Sequence, residues 1–365
     1  MNTDISKNIS SGVSKVKGYV PGEQPQTTDW VKLNTNEFPY PPSPKVREAI
    51  IEQLGADGAP LRLYPSPESA KLREAVAEYF GLGREYAFAA NGSDDILNLA
   101  IRAFSDTSKS VAALQPSYSL YPVLAKIQDA SFTQIPFNAD MSIPYEKIFA
   151  SSANIFFFTN PNAPTGIGFP EEAVRKIVEG VKAIVLVDEA YAPFSDWSAA
   201  GLVREYDNLI VTGTSSKGWG LAGMRIGWGV ASPKIIEVLD RVRDSYNLDR
   251  LAQAAGVAAL KDRAYYGRMR ALVVEQRRLF EEFLDGMGWR YFKSSANFVL
   301  FEPANARGER GANVAKSLFE FLKGMKILPR YFPNEKRIES YLRLTIGTAE
   351  QMAAVMDAAR KWAQL

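Results

Sequence analysis

The sequence predicts an α/β fold, in which a mainly parallel sheet covered by helices is followed by a smaller α+β unit. From Ala87 to about Val230, short apolar runs alternate with amphipathic stretches; the runs are Ala87–Ala90, Val111–Leu114, Ile155–Phe158, Ala183–Val187, Leu209–Val211 and Ile226–Val230. Most are apolar on both faces and separated by enough chain for a crossover, the mark of a parallel sheet buried on both sides. After about Asp244 the pattern changes to long helical periodicity and then to strand-like alternation. Sheets of this kind bind ligands at the carboxyl ends of their strands, so the residues just after each run are the candidates for chemistry.

The remaining elements follow in chain order. Residues 1–30 carry Ser, Lys, Gly, Gln and Pro with little periodicity and read as an extended N-terminal arm. Prolines 39, 41, 42 and 44 delay helix formation until about Val46–Leu54. Leu61–Pro67 reads as a rigid extended stretch, and Lys71–Phe80 as a helix with Leu72, Val76 and Phe80 on one face. Residues 31–245 then form the large unit and 246–365 the small one. In the latter, Leu272, Val273, Leu279, Phe280 and Phe283 mark a long helix, Tyr265–Leu284. Asn297–Phe301 is a strand, and a helix bearing Val314, Leu318 and Leu322 ends at Gly324. Tyr341–Ile346 alternates as a strand does. Thr348 and Gln351 form a capping box for a last helix.

Composition narrows the chemistry. The 365 residues include no cysteine and no histidine. That excludes disulfides, thiolate nucleophiles, thiolate-held metals, Ser-His-Asp triads and HExxH zinc sites. Acid–base or covalent work must fall to Lys, Asp, Glu, Tyr, Ser or Thr, or to an organic cofactor. With 43 Lys+Arg against 41 Asp+Glu, nothing points to nucleic acid. Residues 1–21 lack the apolar core of a signal peptide, and no apolar run approaches the roughly 20 residues of a membrane span. A cytoplasmic protein without membrane or nucleic-acid partners is expected.

The ends of the apolar runs carry the informative residues. Ala87–Ala90 leads into Asn91-Gly92-Ser93-Asp94-Asp95 and a helix, whose first free N–H groups form an anion site or an ordinary capped start. Ala183–Val187 ends at Asp188-Glu189-Ala190-Tyr191. A carboxylate at a buried strand end needs a partner, either a protein cation or the protonated ring nitrogen of a cofactor. After Leu209–Val211, Thr214, Ser216 and Arg225 make a phosphate clamp, with Lys217 beside it able to form a Schiff base. Neither a P-loop nor a dinucleotide fingerprint occurs. Asn160–Gly166 forms a rigid turn that aims an amide over the sheet edge, and Tyr118 offers an aromatic face. Phosphate clamp, Schiff-base lysine, acid and stacking aromatic together match pyridoxal 5′-phosphate (PLP).

With these residues assembled, the chain resembles the fold type I PLP-dependent aminotransferases, and within them the histidinol-phosphate aminotransferase family. The resemblance spans nearly the whole length. It rests on Tyr19–Gly22, Lys32–Glu37, Arg62–Pro65, Asn91–Asp95, Asp188–Tyr191, Ser216-Lys217, Leu221–Gly227 and Tyr341–Thr348. It implies a large domain with a mainly parallel seven-stranded sheet and a small α+β domain. The implied reaction joins histidinol phosphate and 2-oxoglutarate to give imidazole-acetol phosphate and glutamate.

On these positions, Lys217 would carry PLP, Asp188 would pair with the pyridine N–H, and Tyr191 would bond the phenolic O3′. Tyr118 would stack on the ring. Ser93, Asp94, Thr214, Ser216 and Arg225 would hold the phosphate, with Tyr64 reaching it from the neighbouring subunit of a homodimer. Arg343 would bind the acidic group of either substrate, in a pocket lined by Arg330, Tyr19 and Asn36. No metal is implied. Burial and Arg225 should depress the pKa of Lys217. One position departs from the pattern: Ala163 stands where many relatives carry the Asn that contacts O3′, so the contact is assigned to Asn162, with Tyr191 alone as the alternative. An aromatic-amino-acid aminotransferase and a threonine-phosphate decarboxylase share the cofactor and are the rival activities. A non-catalytic PLP-fold binding module is the rival of a different class, opposed by the intact Lys217, Asp188 and Arg225.

Overall fold

The computed structural model describes residues 5–18 and 22–365. Strand β1 (Val31–Lys32) precedes β2 (Ala87–Ala90), β3 (Val111–Gln115), β4 (Phe132–Pro136), β5 (Ile155–Thr159), β6 (Ile184–Asp188), β7 (Leu209–Thr214) and β8 (Gly227–Ala231). Strands β2 to β8 form a seven-stranded sheet in the order β2-β8-β7-β6-β5-β3-β4. β8 runs against the other six strands, pairing antiparallel with β2 and β7, and every other pair is parallel. Because successive side chains point to opposite faces, one core takes Phe156, Phe158, Val185, Val187 and Val211, and the other takes Phe157, Leu186 and Ile210. Truncating a side chain such as Phe157 to Ala should cost about 3–5 kcal/mol.

The apolar runs predict every strand of this sheet except β4. That strand lies at the edge, exposes Thr133 and Gln134, and ends in Pro136, so it lacks the two-faced apolar signal. Helix Arg250–Lys261 is also absent from the prediction. Its buried face is Ala252, Ala255, Gly256, Ala259 and Leu260, all but the last small residues with little hydrophobic contrast. They allow close packing: a Cβ on Gly256 would lie 2.8 Å from Leu72 Cδ1. The expected extended arm is partly helical, at Ile5–Asn8 and Ser11–Ser14, and Ser11 and Lys15 bond Asp129. The stretch expected to be extended at Leu61 begins in a 3-10 turn, Ala59–Arg62, with Pro60 at its start.

The C-terminal part contains β9 (Arg290–Tyr291), β10 (Phe298–Glu302), β11 (Ile327–Leu328), β12 (Arg330–Tyr331) and β13 (Leu342–Thr345). An antiparallel sheet runs β12-β13-β10-β9. Helices Arg263–Gly286, Ala312–Gly324 and Ala349–Trp362 contribute Phe280, Leu318, Leu322, Met352 and Trp362 to its core. The Thr348–Gln351 capping box is formed as predicted. Strand β1 pairs in parallel with β11, and Leu33 O accepts from Thr345 N at 2.9 Å. The chain entering from the N-terminus is thus bonded to the C-terminal part, which delivers Asn34–Glu37 to the space between the two sheets.

No helix among the described residues is long and apolar enough to cross a membrane.

Candidate active site

A cavity of about 660 Å³ lies beyond the carboxyl ends of β5, β6 and β7. Ser93, Asp94, Tyr118, Asp188, Tyr191, Thr214, Ser216, Lys217 and Arg225 line it from the large sheet, and Asn36, Arg330 and Arg343 from the other side. These residues lie far apart in sequence. What gathers them is the parallel topology, which brings every strand-end loop to one edge.

One end of the cavity suits an anion. Gly92 has φ 83° and turns the chain into helix Ser93–Phe104, whose first amides have no intrahelical acceptor. Ser93 opens the helix rather than capping it; Asp95 instead accepts from Asn91 N at 3.0 Å. A Cβ on Gly92 would lie 2.6 Å from Arg225 Nη2, so the guanidinium in its present place leaves no room for one. Thr214 Oγ1 accepts from Ser216 N at 3.1 Å, and Arg225 Nη1 reaches Ser216 Oγ at 3.4 Å. Arg225 is held in the left-handed region, φ 52°. Two hydroxyls, helix amides and a guanidinium make a donor set of the kind that binds a phosphate.

Asp188 is 3% exposed. Tyr121 Oη donates to its Oδ2 at 2.7 Å and Ala190 N to its Oδ1 at 3.2 Å. Among the described residues no lysine or arginine forms an ion pair with it. Burial raises its pKa from 3.8 to about 6. Of the two partners the sequence allows, a protein cation is therefore ruled out within the described residues. The carboxylate lines the cavity with no cation beside it among the described residues. Its neighbour Glu189, also raised by burial to about 7, is instead tied to Ser198 Oγ and Ala199 N and anchors the next turn.

Lys217 Nζ donates to Thr35 O at 3.1 Å. Burial lowers its pKa from 10.5 to about 8, and the positive charge of Arg343 adds to the shift; Glu37 and Asp94 oppose it, and Arg225 contributes least. The expected neighbour, Arg225, thus acts, but behind Arg343. Arg343 faces Arg330 across β12 and β13, donates to Asn34 O at 3.0 Å, and lies over the rings of Phe298 and Phe332. Strand register thus sets two guanidiniums side by side in the cavity wall, a donor set of the kind that binds an anion.

Asn162 is the correction. It is 1% exposed and does not line the cavity. Its Nδ2 donates to Pro116 O at 3.2 Å, and its Oδ1 accepts from Thr165 Oγ1 at 2.7 Å, so the amide braces two loops from behind. Ala163 lines the cavity in its place. The amide that does reach Tyr191 belongs to Asn36, whose Nδ2 donates to Tyr191 Oη at 2.9 Å. The sequence reading places Asn36 in the substrate pocket without this contact. Gly213 faces the indole of Trp228, which would collide with any Cβ there.

Tyr64 is 78% exposed, stacks on Tyr246 and does not line the cavity of its own chain. Tyr19 lies outside the described residues. The sequence reading misses Tyr121, because nothing in its local pattern shows that the hydroxyl turns toward Asp188. It misses Phe332 too, because nothing in its local pattern shows that its ring lies under Arg343. Among the described residues no group of His, Cys, Asp or Glu side chains is placed to hold a metal ion.

The sequence pattern described as aminotransferase class I and II matches residues 28–358. The chain belongs to this family. As an aminotransferase it has full-length relatives: a histidinol-phosphate aminotransferase of Geobacter sulfurreducens is 42% identical over 357 residues, covering 96% of this chain and 98% of that one. A histidinol-phosphate aminotransferase of Rippkaea orientalis is 42% identical over 350 residues, covering 96% and 97%. In fold, the aminotransferase matches the crystal structure of histidinol-phosphate aminotransferase from Sinorhizobium meliloti in complex with pyridoxal-5′-phosphate, with TM-score 0.81 and 20% identity, covering 92% of this chain and 91% of that one. The fold is fold type I, as the sequence predicts.

Proposed function

We propose that this PLP-dependent aminotransferase moves the amino group of histidinol phosphate to 2-oxoglutarate, giving imidazole-acetol phosphate and glutamate in histidine biosynthesis. The observation that carries the reading is Lys217 sharing one cavity with a buried Asp188, which has no cation partner among the described residues, and with the paired Arg330 and Arg343. The histidinol-phosphate aminotransferases at 42% identity support the choice of donor.

The residues fit PLP at three points. The phosphate suits Ser93, Asp94, Thr214, Ser216 and Arg225, where the bare Cα of Gly92 leaves the room that a Cβ would take from Arg225. The protonated ring nitrogen suits Asp188, which burial would otherwise leave as an uncompensated charge. The aldehyde suits Lys217, whose depressed pKa leaves part of its amine neutral. When bound, PLP supplies an electron sink for the charge left on the donor's α-carbon.

The chain's own residues do the rest. Asp188 accepts from the ring N–H and keeps the ring cationic. Tyr191 donates its phenolic proton to O3′, oriented by the N–H of Asn36. Tyr118 stacks on one ring face, and Ala190 leaves space at the other. Lys217 carries the cofactor between turnovers, takes the α-proton as general base, and delivers a proton to C4′. Arg343, with Arg330, binds the carboxylate of glutamate or the phosphate of histidinol phosphate, so that one anion site serves both half-reactions. Tyr64, exposed and outside its own cavity, supports a homodimer in which it reaches the phosphate held by the other subunit. A cytoplasmic enzyme is consistent with this role.

The test is a half-reaction screen. PLP-loaded protein is mixed with histidinol phosphate, phenylalanine or threonine phosphate, and conversion to the pyridoxamine form is followed by absorbance. Fastest conversion by histidinol phosphate is expected. A higher kcat/KM for phenylalanine, or release of CO2 from threonine phosphate, overturns the choice of donor.

A further inference from the structure

A chain of hydroxyls lies behind the cavity wall. Thr159, the last residue of β5, is the register partner of Asp188 on β6. Tyr121 begins helix Tyr121–Ile127 and is fully buried. Its Oη lies 2.7 Å from Asp188 Oδ2 and 2.7 Å from Thr159 Oγ1, which in turn lies 3.0 Å from Ser117 Oγ. Ser117, Thr159 and Asp188 line the cavity; Tyr121 does not. The phenol ring is clamped, stacked on Phe157 at 4.6 Å and edge-on to Tyr118 at 5.6 Å.

Proton counting fixes the direction of this chain. An ionised carboxylate only accepts, so Tyr121 spends its single proton on Asp188. The phenolic oxygen must then accept from Thr159, and Thr159 from Ser117. The phenol stays protonated, because burial and the facing Asp188 raise its pKa well above 10. Every hydroxyl dipole in the row therefore points toward the carboxylate, and such rows polarise one another in a low-dielectric interior.

We propose that Tyr121 is a positioning residue that, with Thr159 and Ser117 behind it, holds Asp188 ionised and turned toward the ring nitrogen of the bound cofactor. The donor lowers the basicity of the carboxylate, so the proton of the pair stays on the ring and not on Asp188. The rigid phenol also sets the plane of the carboxylate and backs the Tyr118 ring, linking two of the cofactor contacts through one buried side chain. The inference rests on the proposed pairing of Asp188 with the pyridine nitrogen.

The test is ring-¹⁵N NMR of protein reconstituted with ¹⁵N-labelled PLP, in the wild type, Tyr121→Phe and Thr159→Val. Phe keeps the ring packed on Phe157 and removes only the hydroxyl; Val is isosteric with Thr. The wild type is expected at the protonated-pyridine position. Tyr121→Phe should move toward the neutral-pyridine position, release PLP faster, and lose about tenfold in kcat, in line with removing one hydrogen bond to a charged group. Thr159→Val should shift in the same direction by less. A Tyr121→Phe resonance at the wild-type position, with unchanged PLP release, overturns the role of Tyr121. A wild-type resonance at the neutral position overturns instead the pairing with Asp188, so the two failures are distinct.

Discussion

Asn36 Nδ2 donates to the phenolic oxygen of Tyr191 at 2.9 Å, across 155 residues of chain. Asn36 sits in the left-handed region at φ 58°, with its N–H on Thr345 Oγ1 and its O accepting from Asn297 Nδ2. The amide is therefore held by the C-terminal sheet and presented to a side chain of the large one. Because Tyr191 accepts here, its own proton is directed away from Asn36.

Replacing Asn36 by Gly should test this relationship without backbone strain, since glycine tolerates positive φ. A neutral hydrogen bond contributes about 1 kcal/mol, so kcat should fall roughly five- to tenfold; the melting temperature should fall as well, because Thr345 Oγ1 also loses the Asn36 Oδ1 it donates to. Unaltered kcat in steady-state assays would remove Asn36 from the orientation of Tyr191.

Attachment of PLP to cofactor-free protein should report the state of Lys217. Only the neutral amine attacks an aldehyde, so the attachment rate should rise with pH and level off above about pH 8, where Lys217 is deprotonated. Arg343→Gln removes a positive charge that depresses this pKa, so the inflection should move upward. Lys217→Ala should show no attachment and lose at least about 10²-fold in turnover. An inflection that does not move in Arg343→Gln would exclude electrostatic contact between the two.

Asp188 should make the cofactor-free protein less stable than it need be. Its folded pKa, about 6, is above the ordinary 3.8, so the ionised form is disfavoured by folding. That penalty is absent below about pH 3.8, grows as pH rises, and is complete above about pH 6. It amounts to at most about 3 kcal/mol for a shift of roughly two pH units. Cofactor-free Asp188→Asn should therefore be more stable than wild type at pH 7, with the difference vanishing near pH 4, while its turnover with PLP collapses. Urea unfolding at several pH values measures this, and a pH-independent difference would contradict it.

Gly92→Ala should weaken PLP binding more than it weakens the fold. The new Cβ would crowd Arg225 Nη2 and sit at a φ of 83°. An increase of at least about tenfold in the PLP dissociation constant is expected, because a clash forces the charged phosphate contact to move. Equal affinity by fluorescence titration would show that Arg225 can relax without cost.

Asn162→Ala should behave as a stability variant. It removes the brace between Pro116 O and Thr165, leaving buried polar groups without partners, at about 1–3 kcal/mol. The absorbance spectrum of bound PLP should stay as in the wild type. A changed spectrum with unchanged stability would return Asn162 to the cofactor.

Much of the site was legible because its chemistry is local. Ser216-Lys217 with Arg225, Asp188 with Tyr191, and Gly92 before a helix are short segments following apolar runs, and parallel topology brings such segments to one edge. The direction of Asn162 is not legible, for the opposite reason. Its direction depends on a carbonyl 46 residues away in another loop, which no spacing in its own segment encodes. Strand β4 and helix Arg250–Lys261 escaped because an exposed edge and a small-residue face blur the hydrophobic period.

The sequence by itself determined the α/β architecture and the class of chemistry: apolar runs of strand length specify buried strands, and a chain without His or Cys must work through Lys, Asp, Tyr and a cofactor. Only the tertiary structure decided that no cation among the described residues pairs with Asp188, that Tyr121 does bond it, and that Arg343 outweighs Arg225 at Lys217. The physical reason is that periodicity is written along the chain, whereas charges and hydrogen bonds act across space between segments that only packing brings together.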